Sequence, residues 1–209
     1  MADDFHRPAL FGGREFQVFA GGEDPAAVMR VAHDSARMLL ARVQSSDDPE
    51  VVDRLISYAD EHGIDALAEL WARSPARSLP GALWRIYLVR AMIRQDPDGV
   101  ALLFQRGAEM IGTIDPVVAG APNPAGPKDV TELVDLILRG VFEGDFAIAL
   151  ERAAAFCRVE AAGASSVADD QDAANPERAS ELTTRALRLS TTADELAWCS
   201  RMSRAGTLD

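Results

Sequence analysis

Apolar positions along this chain recur at helical intervals in nearly every stretch long enough to show a period, and only Glu15–Phe19 has the look of a short strand. Val28, Val31, Ala32, Leu39 and Val43 share one face of a helix that the pattern places from Pro25 to about Val43. A second, opened at Pro49, turns Val52, Leu55, Ile56 and Ala59 inward and stops at Gly63, which is free to take the positive φ of a helix end. These two predict a hairpin. A short helix from Asp65 to about Arg73 directs Leu67, Leu70 and Trp71 inward. Pro80–Gln95 is apolar almost all round, with Leu83, Trp84, Ile86, Tyr87, Leu88, Val89, Met92 and Ile93 covering most of the helical circle, so it belongs at the centre. After Pro97 the stripe continues through Val100, Leu103, Phe104, Gly107, Ala108 and Ile111, and the small pair Gly107 and Ala108 admits another helix at short range.

The starts are marked as clearly as the faces. Asp24-Pro25, Asp48-Pro49, Asp96-Pro97 and Asn175-Pro176 each set an Asp or Asn, whose side chain accepts from an orphan N–H, before a proline that has no N–H to leave unpaired. Ser78 or Leu79 stands at the cap position of Pro80–Gln95. Asp115-Pro116 carries the signature too. However, Pro116, Pro122, Pro124 and Pro127 with Gly120 and Gly126 crowd residues 113–128, so that pair reads as a false start inside a loop. Helix resumes at Asp129, burying Val130, Leu133, Val134, Ile137, Leu138 and Val141; beyond Gly144 an Ala-rich helix from Asp145 buries Phe146, Leu150, Ala153 and Cys157. Residues 163–175 are small, polar and acidic, the composition of a linker. Two helices follow, Pro176–Leu189 and one behind a capping box of Thr192 and Glu195 that buries Leu196, Trp198 and Met202.

The expectation is an all-α protein, an irregular bundle of seven to nine helices in antiparallel hairpins. It divides into an extended arm (1–23) carrying Phe5, Phe11, Phe16 and Phe19, a core (24–162), the acidic linker (163–175) and a C-terminal helical pair (176–209). The hairpins share no residue pattern beyond the caps, which argues against a repeat array. At 209 residues such a globule buries about 70% of its unfolded surface. It therefore needs no staples, and Cys157 and Cys199 read as buried reduced thiols. The first twenty residues lack the unbroken apolar stretch of a signal peptide and no 18-residue apolar run occurs, so the expected location is the cytoplasm.

Charge narrows the partners. The net −12 divides into 12 arginines against 17 acids over residues 1–112 and 9 bases against 16 acids over 113–209, the wrong sign in both halves for a general phosphate-backbone binder. No membrane partner is expected. Gly120 to Lys128 resembles a phosphate loop only superficially: a proline stands before the lysine and Asp129 replaces the required hydroxyl. His6, His33 and His62 form no ligand pair at helical spacing, and the G-x-S-x-G elbow is absent, so no metal, cofactor or catalytic residue is assigned.

One constellation stands out. Between residues 71 and 106, Arg73, Arg77, Arg85, Arg90, Arg94 and Arg106 meet only Asp96 and Asp98 in sequence and are interleaved with Trp71, Trp84, Tyr87 and Phe104. Arg85, Arg90 and Arg94 could clamp an anion with Trp84 or Tyr87 as a wall. The alternative, which the apolar surroundings favour, pairs them with acids on neighbouring helices.

The runs SLPGALWRIYLVRAMIRQDP (78–97), VVAGAPNPAGP (117–127), FEGDFAIALERAAAFCRVEAAG (142–163) and RAGTLD (204–209) resemble an uncharacterised family of all-helical actinobacterial proteins. Some of its members carry the automatic label RNA polymerase β subunit, which this chain has neither the length nor the segments to support. The resemblance implies a helical fold and offers no activity to carry over. The functional expectation is thus a non-enzymatic interaction or regulatory module that self-associates or binds another protein, through the Phe arm or through Ile114, Val117 and Val118 of the 113–128 loop. A small-molecule or nucleotide site beside helix 80–95 is the alternative.

Overall fold

The structure is a computed structural model that describes residues 24–45, 50, 54, 65–122 and 124–209. All eight described elements are α-helices, and no strand occurs among the described residues: α1 (Pro25–Gln44), α2 (Asp65–Ala72), α3 (Leu79–Gln95), α4 (Pro97–Met110), α5 (Asp115–Ala119), α6 (Pro127–Glu143), α7 (Phe146–Gln171) and α8 (Pro176–Arg204). The Phe arm lies outside the described residues, and so do all but residues 50 and 54 of the helix expected from Pro49. No described helix is long and apolar enough to cross a membrane.

The caps act as their chemistry requires. Asp24, Asp96 and Asn175 accept from the backbone N–H groups of Ala26, Gly99 and Arg178. Asp145 accepts from both Ala147 and Ile148. Ser78 has two tasks, accepting from Gly81 N–H at 3.2 Å and donating to the Pro75 carbonyl at 2.7 Å. Replacing it with alanine should cost about 1 kcal/mol, seen as a melting temperature lower by about 2–4 °C.

Three expectations are corrected. Asp115-Pro116 does start a helix, because α5 needs no N-cap side chain: Asp115 lies inside the first turn, and Gly120 ends the helix at φ 85°, in the left-handed region. The acidic linker is absent, since α7 runs on to Gln171 with Gly163, Ala164 and Ala168 buried; small residues that look solvated in sequence here allow close packing. The closing pair is one 29-residue helix, in which the Thr192 hydroxyl donates to the Arg188 carbonyl and Glu195 pairs with Arg85, so neither forms a capping box. In smaller adjustments, α6 opens two residues early at Pro127, and Val31 of α1 faces out while Ala32, Ala36 and Val43 face in.

The core sits around α7, which touches α3, α4, α5, α6 and α8. Its alanines at 149, 153, 154, 155, 161 and 164 are buried, and Phe156, fully buried, stacks on Phe104 with ring centroids 5.3 Å apart. The α7–α8 hairpin is antiparallel: Glu160 pairs with Arg185, Glu151 with Arg204, and the Ser200 hydroxyl donates to the Ala147 carbonyl. On the other side α3, as its all-round apolar surface demands, touches α1, α2, α4, α6, α7 and α8. Trp71 of α2 is buried and donates to Ser35 of α1. The segment after α8 returns to this side: Leu79 N–H donates to the Asp209 carbonyl, and the Asp209 carboxylate meets Arg37 and His33.

Candidate functional site

The arginines of the central helix reach across to acids of other elements. Arg85 pairs with Glu195 of α8 and also donates to its own Gly81 carbonyl. Arg90, only 5% exposed, donates from Nε to Asp135 of α6 at 3.1 Å, and Arg94 meets the other oxygen of that carboxylate at 3.3 Å. Arg106 donates to Ser166 and pairs with Asp170, both on α7, while Arg73 pairs with Glu69. Arg77 lies 5.6 Å over the Trp198 ring. At Arg85, Arg90, Arg94 and Arg106 the local excess of positive charge is thus answered by carboxylates far away in sequence. Trp84 and Tyr87 stack on each other, centroids 5.4 Å apart, both half-buried.

Of the residues expected to dock a partner, Ile114 and Val117 are 74% and 80% exposed. Val118 is corrected: it is partly buried and packs on the core, because one turn of helix turns adjacent residues to different sides. The turn itself is braced. Arg158 of α7 donates to Asp115 at 2.7 Å, and Arg152 Nε donates to the Ala119 carbonyl at 3.3 Å. Phe5, Phe11, Phe16 and Phe19 lie outside the described residues.

Two features involve none of the residues that the sequence singled out as candidate site residues. The first is Glu160, wholly buried on α7. Its Oε1 accepts from Arg185 at 2.7 Å, while its Oε2 and the Arg185 Nε have no partner among the described residues. Burial pushes its carboxyl up to about 8, which the Arg185 guanidinium opposes without cancelling and the Asp96 charge reinforces. The sequence did hold a signal, a single acid among Phe156, Val159, Ala161 and Ala164, with Arg185 nearly equidistant from the turn that joins the hairpin.

The second is a groove of about 730 Å³ between α3 and α8. Leu88, Val89 and Met92 form one wall, and α8 supplies Ser180, Thr184, Arg185, Arg188 and Leu189. A site beside this helix was the alternative expectation, but on Arg85, Arg90, Arg94, Trp84 and Tyr87, none of which lines the groove; it opens instead at Leu88, which is 44% exposed. Cys157 and Cys199 are buried and free, with thiols pushed by burial to about 12 and about 11, so both stay protonated at neutral pH. Among the described residues no three His, Cys, Asp or Glu side chains converge as metal ligands. No protein-family model, curated protein or solved structure matches this chain.

Proposed function

We propose that the chain is a non-enzymatic helical interaction module that associates with a second copy of itself through the knuckle at α5. The supporting observation is that Ile114 and Val117 are held outward on a turn fixed by Arg158 and Arg152, while their neighbours Val118 and Ala119 pack inward. Met110, at the end of α4, adds another exposed apolar side chain. Full burial of an Ile or Val side chain is worth about 1.5–3 kcal/mol. Two from each copy give roughly 6–12 kcal/mol, against an association cost of about 4–15 kcal/mol. The balance predicts a weak, concentration-dependent dimer.

Sedimentation velocity at micromolar concentrations should show a mass rising toward twice the monomer. The double substitution Ile114→Asp/Val117→Asp should hold the chain monomeric with its melting temperature unchanged. A wild-type chain that stays monomeric throughout, or a variant that dimerises equally well, removes this reading. Deleting residues 1–20 asks separately whether the Phe arm contributes. The second reading, a small-molecule or nucleotide site, is favoured by the α3–α8 groove and not by Arg85, Arg90 or Arg94, each of which carries an ion pair.

A further inference from the structure

The α3–α8 groove is two-faced. Its α3 wall is hydrocarbon, with Leu88 open to solvent at the rim. Its α8 wall is a ridge at every fourth position, Ser180, Thr184, Arg188 and Thr192, beside a second row of Glu181, Arg185 and Leu189. The hydroxyls of Thr184 and Thr192 donate back to the helix, to the carbonyls of Ser180 and Arg188. Glu181 pairs with Arg178 at 3.0 Å, and Arg185 is tied inward to Glu160. That leaves the Arg188 side chain, exposed, with no hydrogen-bond or ion-pair partner among the described residues, in a chain whose net charge is −12. With acids so numerous, a lone guanidinium beside an apolar wall marks an anion-seeking position.

We infer that this groove binds a single-chain amphiphile whose anionic head meets Arg188 and whose hydrocarbon body lies along Leu88, Val89, Met92 and Leu189. The size fits, since small-ligand clefts run to about 300–1,000 Å³. The charge fits in sign and place: Arg185, held by its buried partner, adds a second fixed positive charge one turn away, and Glu181, the acid among the described residues lining the groove, is already paired with Arg178. The inference does not depend on self-association, because none of the groove residues lies on α5.

Titration calorimetry with decanoate and with decyl phosphate, both below their micellar concentrations, distinguishes the two kinds of head group. At least one should bind saturably at one per chain, and a non-ionic decyl maltoside should bind about tenfold more weakly or not at all. Arg188→Ala should weaken the anion about tenfold and Arg188→Lys restore most of it. Leu88→Asp should abolish binding, and melting curves establish that these exposed-site variants stay folded. The Ile114→Asp/Val117→Asp chain should bind as the wild type does. Absence of saturable binding by both anions overturns the site, and so does unchanged affinity in Arg188→Ala.

Discussion

Gly163→Ala should lower the melting temperature by about 6–12 °C, a loss of about 3 kcal/mol, although it adds only one methyl group to a helix. The reason lies in how α4 and α7 cross. A Cβ on Gly163 would overlap the carbonyl oxygen of Leu103 and stand 2.9 Å from the backbone nitrogen of Gly107, while a Cβ on Gly107 would overlap the Val159 carbonyl. The obstacles are backbone atoms, so no rotamer change relieves them; the helices must separate, and the stacked Phe104 and Phe156 must part with them. Gly107→Ala should cost about as much, and the double variant less than the sum, because the first substitution already opens the crossing. Gly140→Ala is the control: its Cβ would meet only Ala149 Cβ at 3.5 Å, an ordinary contact, so helix propensity should raise stability by about 0.5–1 kcal/mol. Thermal melts of the four variants decide it, and a Gly163→Ala chain that melts with the wild type would refute the backbone-to-backbone crossing.

The second large effect is expected at Glu160 and Arg185, with a dependence on pH that fixes its cause. A carboxyl raised from about 4.5 in the unfolded chain to about 8 in the folded one binds its proton more tightly when folded. Its contribution is therefore fully present below pH 4.5 and is lost as pH rises through 8. Relative to Glu160→Gln, which does not titrate, the wild type should lose stability steadily over that window, as denaturant melts at several pH values would show. A flat difference would mean that the carboxyl keeps an ordinary affinity for protons. At pH 9, Arg185→Met should cost about 3–5 kcal/mol, because it strands a buried anion. At pH 6, where the carboxyl holds a proton, the same change should cost only about 1–3 kcal/mol, the scale of a hydrogen bond to a charged group. Replacing both, as Glu160→Leu with Arg185→Met, should recover most of the loss at either pH.

Ile114 and Val117 stood out in sequence because apolar residues among prolines and glycines have no helical face to join, and they are exposed. The arginine cluster was equally visible, but its partners were not, since Asp135, Asp170 and Glu195 lie dozens of residues away and meet it only when α6, α7 and α8 close around α3 and α4. A site beside Pro80–Gln95 was expected, but its lining was not legible, because no period in a sequence says where two helices diverge.

Local chemistry by itself determined the all-helical character and the starts of α1, α3, α4, α7 and α8, since an Asp, Asn or Ser at the cap acts within three residues and needs nothing from the rest of the chain. The burial of Phe104, Ile86, Val134 and Leu150 was likewise written in the helical spacing of apolar positions. Where helices stop was decided by packing. The polar stretch after Gly163 stays helical to Gln171 because Leu103 and α8 cover its small residues, and α8 runs unbroken past Thr192 because its buried side lies along α7. Five residues form α5 because Arg152 and Arg158 of α7 hold them there. Propensity and capping are short-range and additive along the chain, whereas desolvation, backbone clearance and ion pairing depend on which surfaces meet, and only the folded arrangement sets those.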